Sequence, residues 1–483
     1  MHPSRIFFYA CIGFIAGIAA GNFFALSDWL LICLCIVGLM VLAWHGFNTV
    51  GISALALVAL VAGLAIAVDE RTAWDRARAF FLAKALAEPD AIIAVVTRRA
   101  YLKNSTYYRI KTDEGTTLAL LIANQKPLHI GSIIRIASPI FDTDSKSEPF
   151  LKRDGVAGTI LFPDTAETMG REQALRHAFW ENLALARESF ERHLALVLPE
   201  PHASLAAGLL TGARTGLPQN LKDDFTRTGL AHIVAVSGYN ISILIVAVST
   251  IIGAVALSRG AAFWVGAVFI ALFAIFTGAA ASVVRASVMG FLVILAQKES
   301  RMYSGRVALA FAGTAMLAAN PLVLRYDLGF TLSFLATTGL LMLYPLLAER
   351  FAHLPKFLDG KDLVLQTISA QLLVLPVIII AFGNISTVFL AANIAVLPFI
   401  PSAMFFSFFG AMAGLAHIGI GRIIALPAYA IISYQISAIK FFSAIPSAAV
   451  SLPSSALRWG LGSIAAAFAI WIYYKLKDNS IKS

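Results

Sequence analysis

Apolar runs long enough to cross a bilayer recur along this chain in two blocks, with a stretch of different character between them. The first block holds runs at residues 6–26, 29–44 and 50–68. The second holds runs at 261–277, 279–296, 307–319, 328–347, 364–382, 388–400, 403–415, 423–438 and 457–474, after an opening run at 229–245. One crossing takes about 20 apolar residues, so the pattern predicts a polytopic α-helical membrane protein of roughly a dozen spans. Its parts are N-terminal transmembrane helices over 1–70, a transmembrane domain over 204–474 and a basic tail over 475–483.

Between the blocks, residues 88–166 change to short β-branched and aromatic runs separated by turn residues. Runs at 91–97, 106–111, 116–122, 132–137 and 156–162 each read as a strand. Five short strands suit a small β-barrel of the OB type. Residues 171–198 then read as an amphipathic helix with Leu175, Phe179, Leu183, Phe190, Leu194 and Leu198 on one face. That face either lies on the membrane surface as an interfacial helix or packs on the barrel.

Composition agrees with the pattern: 59% of the 483 residues are hydrophobic and 13% charged, which excludes a soluble enzyme. The formal charge of +10 is of the kind that anchors cytoplasmic loops. Retaining Arg5 in the cytoplasm and counting three crossings puts the 88–166 domain outside the cytoplasm, although Arg71, Arg76 and Arg78 pull the other way. The basic connections 298–306 and 350–361 agree with each other as cytoplasmic. Lys475, Lys477 and Lys482 ask for the same side, which needs one further crossing, through residues 441–452. Cys11, Cys33 and Cys35 all lie in the first two runs, as small apolar residues with neither a disulfide framework nor a metal-ligand spacing.

Three polar features change this picture. Arg98, Arg99, Lys103, Arg109 and Lys111 are interleaved with Tyr101, Tyr107 and Tyr108, with no acidic residue among them. Cations for phosphates beside aromatic faces for bases are what single-stranded nucleic acid binding needs; a solvated hairpin with ordinary strand tyrosines has the same composition. The run 229–245 contains His232, Ser237, Gly238, Tyr239, Asn240 and Ser242. Either these make a small-residue helix contact with hydrogen bonds to a neighbour, or Ser237-Gly238 breaks the helix and its polar groups line an aqueous path. Finally, Arg285 sits within an apolar run, which costs several kcal/mol unless it meets a partner, water or the interface.

The run 229–245, with Gly208-Leu-Leu-Thr-Gly212 before it, resembles the opening motif of the ComEC-type competence proteins, bacterial inner-membrane channels for DNA uptake. In that family the motif usually ends Ser-Gly-Leu-His; here it ends Ser-Gly-Tyr-Asn, and Asn240 does not titrate near neutral pH. Phe276-Thr-Gly278 with Ser282-Val-Val-Arg285-Ala286 is similar to a further family stretch. So is Asn320-Pro321, Asp327, Gly329-Phe330 and Leu332-Ser333-Phe334, with Thr331 where the family commonly has Gln. Asp327 pairs either with Arg285 across the bundle or with nearby Arg325. A last match joins Gln371, Pro376, Gly383-Asn384-Ile-Ser386, Asn393 and Pro398, where proline and asparagine suggest interrupted helices lining a cavity.

The resemblance covers the OB-like and transmembrane competence domains but not the metallo-β-lactamase-like domain that many longer members carry. It implies no cofactor and no enzyme activity. The sequence carries neither a Gly-x4-Gly-Lys-Ser/Thr phosphate loop nor a His-Glu-x-x-His or His-x-His-x-Asp-His cluster. The resemblance implies a channel in the cytoplasmic membrane that passes single-stranded DNA inward. Its partners would be the lipid bilayer, a cytoplasmic helicase-like motor, a separate nuclease and an extracytoplasmic DNA receptor. Two other classes remain open: a secondary transporter of a small anionic solute, and a membrane scaffold whose OB-like domain binds protein.

Overall fold

The computed structural model describes residues 3–22, 49–86, 91–101, 105–113, 115–123, 128–137, 141–142, 148–161, 165–171, 175–213, 216–234, 236–254, 258–353, 360–452 and 455–482. The expected span 29–44, together with Cys33, Cys35 and Lys103, lies outside them. The chain divides into two compact units, one of Met1–Glu188 with Ala310–Leu328 and the other of Ser189–Leu309 with Gly329–Ser483.

In the first unit α1 (Pro3–Gly21) packs on α2 (Thr49–Leu86). Gly13 and Gly17, one turn apart, lie directly on the Ala56 and Leu60 carbonyls, where a Cβ would not fit. This is the small-residue approach that lets membrane helices touch backbone to backbone. Helix α2 has 38 residues and so is about 57 Å long, well beyond a hydrocarbon core of about 30 Å. The sequence reading ended this element near residue 70. Beyond that point Trp74, Arg78 and Phe81 share one face of the helix and fasten it to a β-sheet. Trp74 Nε1 donates to the Val156 carbonyl at 3.0 Å, Arg78 Nη1 donates to the Ala157 carbonyl at 3.0 Å, and Phe81 enters the sheet's core. Arg78 is therefore a buried structural cation, which removes part of its pull on the topology.

The sheet comprises β1 (Ala91–Tyr101), β2 (Ser105–Thr112), β3 (Thr117–Ala123), β4 (Ser132–Ala137), β5 (Phe141–Asp142), β6 (Thr159–Leu161) and β7 (Thr165–Arg171), with α3 (Glu148–Asp154) between β5 and β6. Its order is β5-β6-β3-β2-β1-β4-β7, with only β3–β6 parallel. Among the described residues β5 and β7 end the sheet without pairing, so five predicted strands have become seven and no closure into a barrel is seen. Ile92, Ala94, Val96, Tyr108, Ile110, Leu120, Ile134 and Ile136 form the buried face at the spacing of two that strands dictate.

Helix α4 (Leu175–Val197) is held to this sheet by charge. The Arg99 side chain, 2% exposed, meets Glu188 at 2.7 Å and Glu181 at 3.5 Å and donates to the Leu128 carbonyl at 3.2 Å. Glu181 also takes the His129 ring at 2.7 Å and the Ile130 amide at 2.9 Å. Because the sheet supplies Arg99, the first half of α4 turns His177 and Glu181 inward and leaves Phe179 and Trp180 exposed. The single apolar face expected over 171–198 is thus split. Only its second half, through Phe190 and Leu194, enters a core, in the second unit.

The second unit continues with α5 (His202–Thr211), α6 (Gln219–Arg227), α7 (Gly238–Ala254), α8 (Arg259–Phe276) and α9 (Ala281–Lys298). Then come α10 (Gly305–Ala319), which belongs to the first unit from Ala310 on, the short α11 (Val323–Tyr326), wholly in the first unit, and α12 (Leu328–Arg350) and α13 (Gly360–Phe382) of the second. The rest is β8 (Asn384–Ser386), α14 (Phe389–Val396), α15 (Ile400–Ala416), α16 (Ile418–Ser443), β9 (Ala449–Ser451) and α17 (Ser455–Lys482). Eight described helices are long and apolar enough to cross a membrane, and two shorter apolar ones accompany them, so the protein is a polytopic helical membrane protein.

Two expected spans change. The runs 388–400 and 403–415 form one stretch interrupted by a 3-10 turn at Leu397–Phe399. There Tyr434 and Gln435 of α16 donate to the Ala395 and Val396 carbonyls at 3.2 and 3.4 Å, satisfying backbone that Pro398 withdraws from the helix ladder. The crossing expected through 441–452 is absent: α16 runs to Ser443, and β9 then pairs antiparallel with β8.

Two outcomes follow for the first unit. Replacing Phe81 by Ala empties a buried ring site and is expected to destabilise the sheet by roughly 3–5 kcal/mol. Hydrogen exchange of the β1, β2 and β4 amides in the full chain reads this, and unchanged protection would contradict the account. For Glu181, burial alone pushes the carboxyl up, but the hydrogen bonds from His129 and Ile130 and the Arg99 and His129 charges outweigh it and hold it below the usual range. A carboxyl depressed on folding contributes stability above its unfolded value, near about 4.3, and loses it as pH falls through the folded value. Acid is therefore expected to release α4 from the sheet. In Glu181→Gln the tryptophan fluorescence should lose that acid transition; an identical transition in both proteins would sink the assignment.

Candidate functional site

Three stretches far apart in sequence meet in the second unit at the start of α7. The apolar run 229–245 is divided: a 3-10 turn covers Ala231–Ile233, and α7 begins at Gly238. Ser237 stands just before the helix, and its hydroxyl donates to Asn240 Oδ1 at 3.1 Å. Asn240 Nδ2 in turn donates to the Leu209 carbonyl at 3.0 Å. That carbonyl lies in the last turn of α5, whose carbonyls lack helical partners. Asn240 is 1% exposed, so it ties α7 to α5 and does not line a water path.

Small residues allow the convergence. Gly208 sits where a Cβ would come 2.7 Å from the Val234 carbonyl oxygen. Gly212, at φ +76°, closes α5 in the left-handed conformation, against Val236 and the Thr277 carbonyl. The turn from α8 to α9 passes through Gly278 and Ala279, both with positive φ, and the Ser282 hydroxyl then donates to the Val236 carbonyl at 3.0 Å.

One turn further along α9, Arg285 is 8% exposed. Its Nε donates to Ser333 Oγ on α12 at 2.9 Å, Nη1 approaches Met289 Sδ at 3.5 Å, and Nη2 lies against Gly238 in the space a Cβ would take. Among the described residues no carboxylate pairs with it. The first amides of α7 also lack helical partners and carry the positive end of its dipole. A guanidinium with no counter-charge and a helix N-terminus thus stand together in the bundle, an arrangement that favours an anion.

Of the predicted positions, Ser237, Gly238, Asn240, Arg285 and Ser333 are brought together. His232 is exposed on the 3-10 turn, its Nδ1 3.2 Å from the Gly229 carbonyl. Asn384 is exposed at the start of β8, and Asn393 donates to the Phe389 carbonyl of its own helix at 2.7 Å. Asp327 lies in the first unit, where its charge acts on Arg153. Nearby Asn320 donates to the Arg153 carbonyl and Asn22 to the Pro321 carbonyl, both at 3.1 Å, so this signature seats the sheet. Ser282 and Met289 were not singled out for this role, although each lies within a turn of Arg285 and shares its helix face.

On the sheet, a bulge between Val96 and Arg98 shifts the register so that Arg98 opposes Arg109 and Arg99 opposes buried Tyr108. This one step turns Arg99 into the core, and its charge is spent on Glu181 and Glu188. Tyr107 packs against the cluster of Trp74, Leu151 and Leu322, and burial pushes its phenol up. Arg109 donates to the Asp154 carbonyl. Arg98 is exposed at the surface of the sheet, and desolvation followed by repulsion from Arg109 lowers its pKa. Two like charges directly across a strand pair repel, and the charge of Asp154 offsets part of that repulsion at Arg98. Tyr101 closes β1.

A family model described as "Competence protein" matches residues 209–477, which contain α7, Arg285 and Ser333. ComE operon protein 3 of Bacillus subtilis (strain 168) is 25% identical over 203 residues, 42% of this chain and 25% of that protein, so the chain aligns with about a quarter of that relative's length. No solved structure matches the chain significantly. With more than half of its residues inside the family match, the chain belongs to the competence protein family.

Proposed function

We propose that this protein is a channel in the cytoplasmic membrane through which single-stranded DNA enters the cell during DNA uptake. The observation that carries the reading is Arg285, buried without a carboxylate against the start of α7, in a family of competence proteins. A nucleic acid strand presents one anionic phosphodiester per nucleotide. A fixed cation beside helix amides offsets the desolvation of each phosphate as it passes. The family match points to a membrane protein of DNA uptake rather than to an enzyme.

In this reading the sheet is the OB-like module and stands outside the membrane, where Arg98 and Arg109 receive the strand. Lys111 extends the same strand face and is exposed. Tyr107 is largely committed to packing, so the contact rests on phosphates more than on stacked bases. A cytoplasmic helicase-like motor would pull the strand, and a separate nuclease and an extracytoplasmic receptor would feed it. The interrupted helices and the Arg285 seat suit a secondary transporter of a small anionic solute equally well; the opposed arginines on the sheet favour the polymer.

Arg285→Gln keeps a donor for Ser333 and removes the charge. Losing one charge-assisted contact of about 1.5–3 kcal/mol is expected to lower DNA internalisation about tenfold or more in cells carrying only the variant, with protein level and surface DNA binding unchanged. Internalisation at the wild-type level would refute the role of Arg285. For the sheet, Arg98→Ala in the purified full chain should flatten the salt dependence of single-stranded DNA binding by about 0.7 in log–log slope, the value of one phosphate contact. An unchanged slope would remove Arg98 from the binding surface.

A further inference from the structure

A groove of about 400 Å³ opens on the second unit between the end of α4 and the first half of α16. Leu196, Leu198, Pro199, Leu426 and Tyr429 are among the residues that line it, and Arg422 is the single charged one. Leu426 is 60% exposed and Tyr429 43%, on a helix long and apolar enough to cross the bilayer. The groove therefore faces hydrocarbon and not water.

Arg422 opens the second turn of α16, at the depth where a spanning helix meets the headgroups. Its Nε donates to the Leu196 carbonyl at 3.1 Å, in the unsatisfied last turn of α4. That bond fixes the guanidinium at the mouth of the groove. Nη1 and Nη2 have no partner among the described residues, and no carboxylate lines the groove. Arg192 lies one turn before Leu196 on the same face of α4 and is exposed. Nearby Glu200 is already engaged, accepting from the hydroxyl and amide of Ser204 at 2.6 and 3.3 Å.

A narrow apolar trough ending in a fixed, half-satisfied guanidinium has the shape and charge of one lipid. We propose that this groove binds an anionic glycerophospholipid, with an acyl chain along Leu426 and Tyr429 and the phosphate on Arg422. Two parallel donors on a planar fork suit a phosphodiester's two oxygens, and basic pockets between membrane helices are where anionic headgroups collect. Zwitterionic lipids offer the same phosphate but carry a cation that a second arginine nearby repels.

The test uses the purified full chain in neutral maltoside detergent and native mass spectrometry. Dioleoylphosphatidylglycerol, dioleoylphosphatidylcholine or inorganic phosphate is added in separate arms. Wild type is expected to retain one phosphatidylglycerol in clear preference to phosphatidylcholine, and phosphate alone should neither bind nor prevent that retention. Arg422→Gln should weaken phosphatidylglycerol binding about tenfold, the size of one charge-assisted contact, whereas Arg422→Lys should keep most of it. Leu426→Trp fills the trough without touching the cation and should lower retention to a similar degree. Equal retention of the two lipids, wild-type binding in both Arg422→Gln and Leu426→Trp, or displacement of the lipid by inorganic phosphate would each overturn the proposal. Melting temperatures in lipid-free detergent confirm that the variants compared are folded.

Discussion

A guanidinium taken out of water with no carboxylate to meet it is costly, and the region around α7 is arranged so that Arg285 is held there. Ser333 takes one donor, the missing side chain of Gly238 makes room for another, and Ser282 locks the start of α9 onto the chain before α7. Asn240 then fixes α7 against the end of α5. Each of these contacts positions a charge that the fold leaves uncompensated. Structures tolerate that combination of rigidity and unbalanced charge where an anion is to be bound.

The same economy shapes the first unit differently. There the cations of β1 and β2 are sorted by a single bulge: Arg99 goes into the core and is neutralised by two glutamates, while Arg98 and Arg109 face each other on the opposite side. Helix α2 carries the sheet directly from a membrane helix, and the segment around Asn320 and Pro321 gives it a second anchor. Basic residues adjacent in sequence thus end in opposite roles, one structural and one exposed.

What the sequence makes legible is whatever depends on local pattern or on an exceptional residue. Apolar runs reveal the membrane class, alternating residues reveal strands, and Arg285 stands out because charge is rare in such a run. Of the two readings open for Ser237-Gly238, the structure has the run divided, with a helix starting at Gly238, and the sequence offers that start because the hydroxyl and the glycine act locally. Asn240 does not, because its partner carbonyl at Leu209 lies 31 positions away and nothing local marks it. Arg99 is misassigned for a related reason: a one-residue bulge reverses which face a strand residue takes, and neither Glu181 nor Glu188 is near it in sequence. Residues 441–452 are apolar enough to suggest a crossing, yet they hold the end of α16 and the three-residue strand β9 paired with β8, since a backbone partner outweighs hydropathy over so short a run.

The central claim is that the Arg285 seat conducts a polyanion and is not merely a fixed structural charge. The most direct measurement reconstitutes the full chain in liposomes and compares entry of a labelled single-stranded oligonucleotide with that of a small organic phosphate, for wild type and Arg285→Gln, under an imposed membrane potential. The account predicts oligonucleotide entry in wild type that falls about tenfold in the variant, in line with one lost charge-assisted contact. Entry of the small phosphate alone, or oligonucleotide entry indifferent to Arg285, would contradict it.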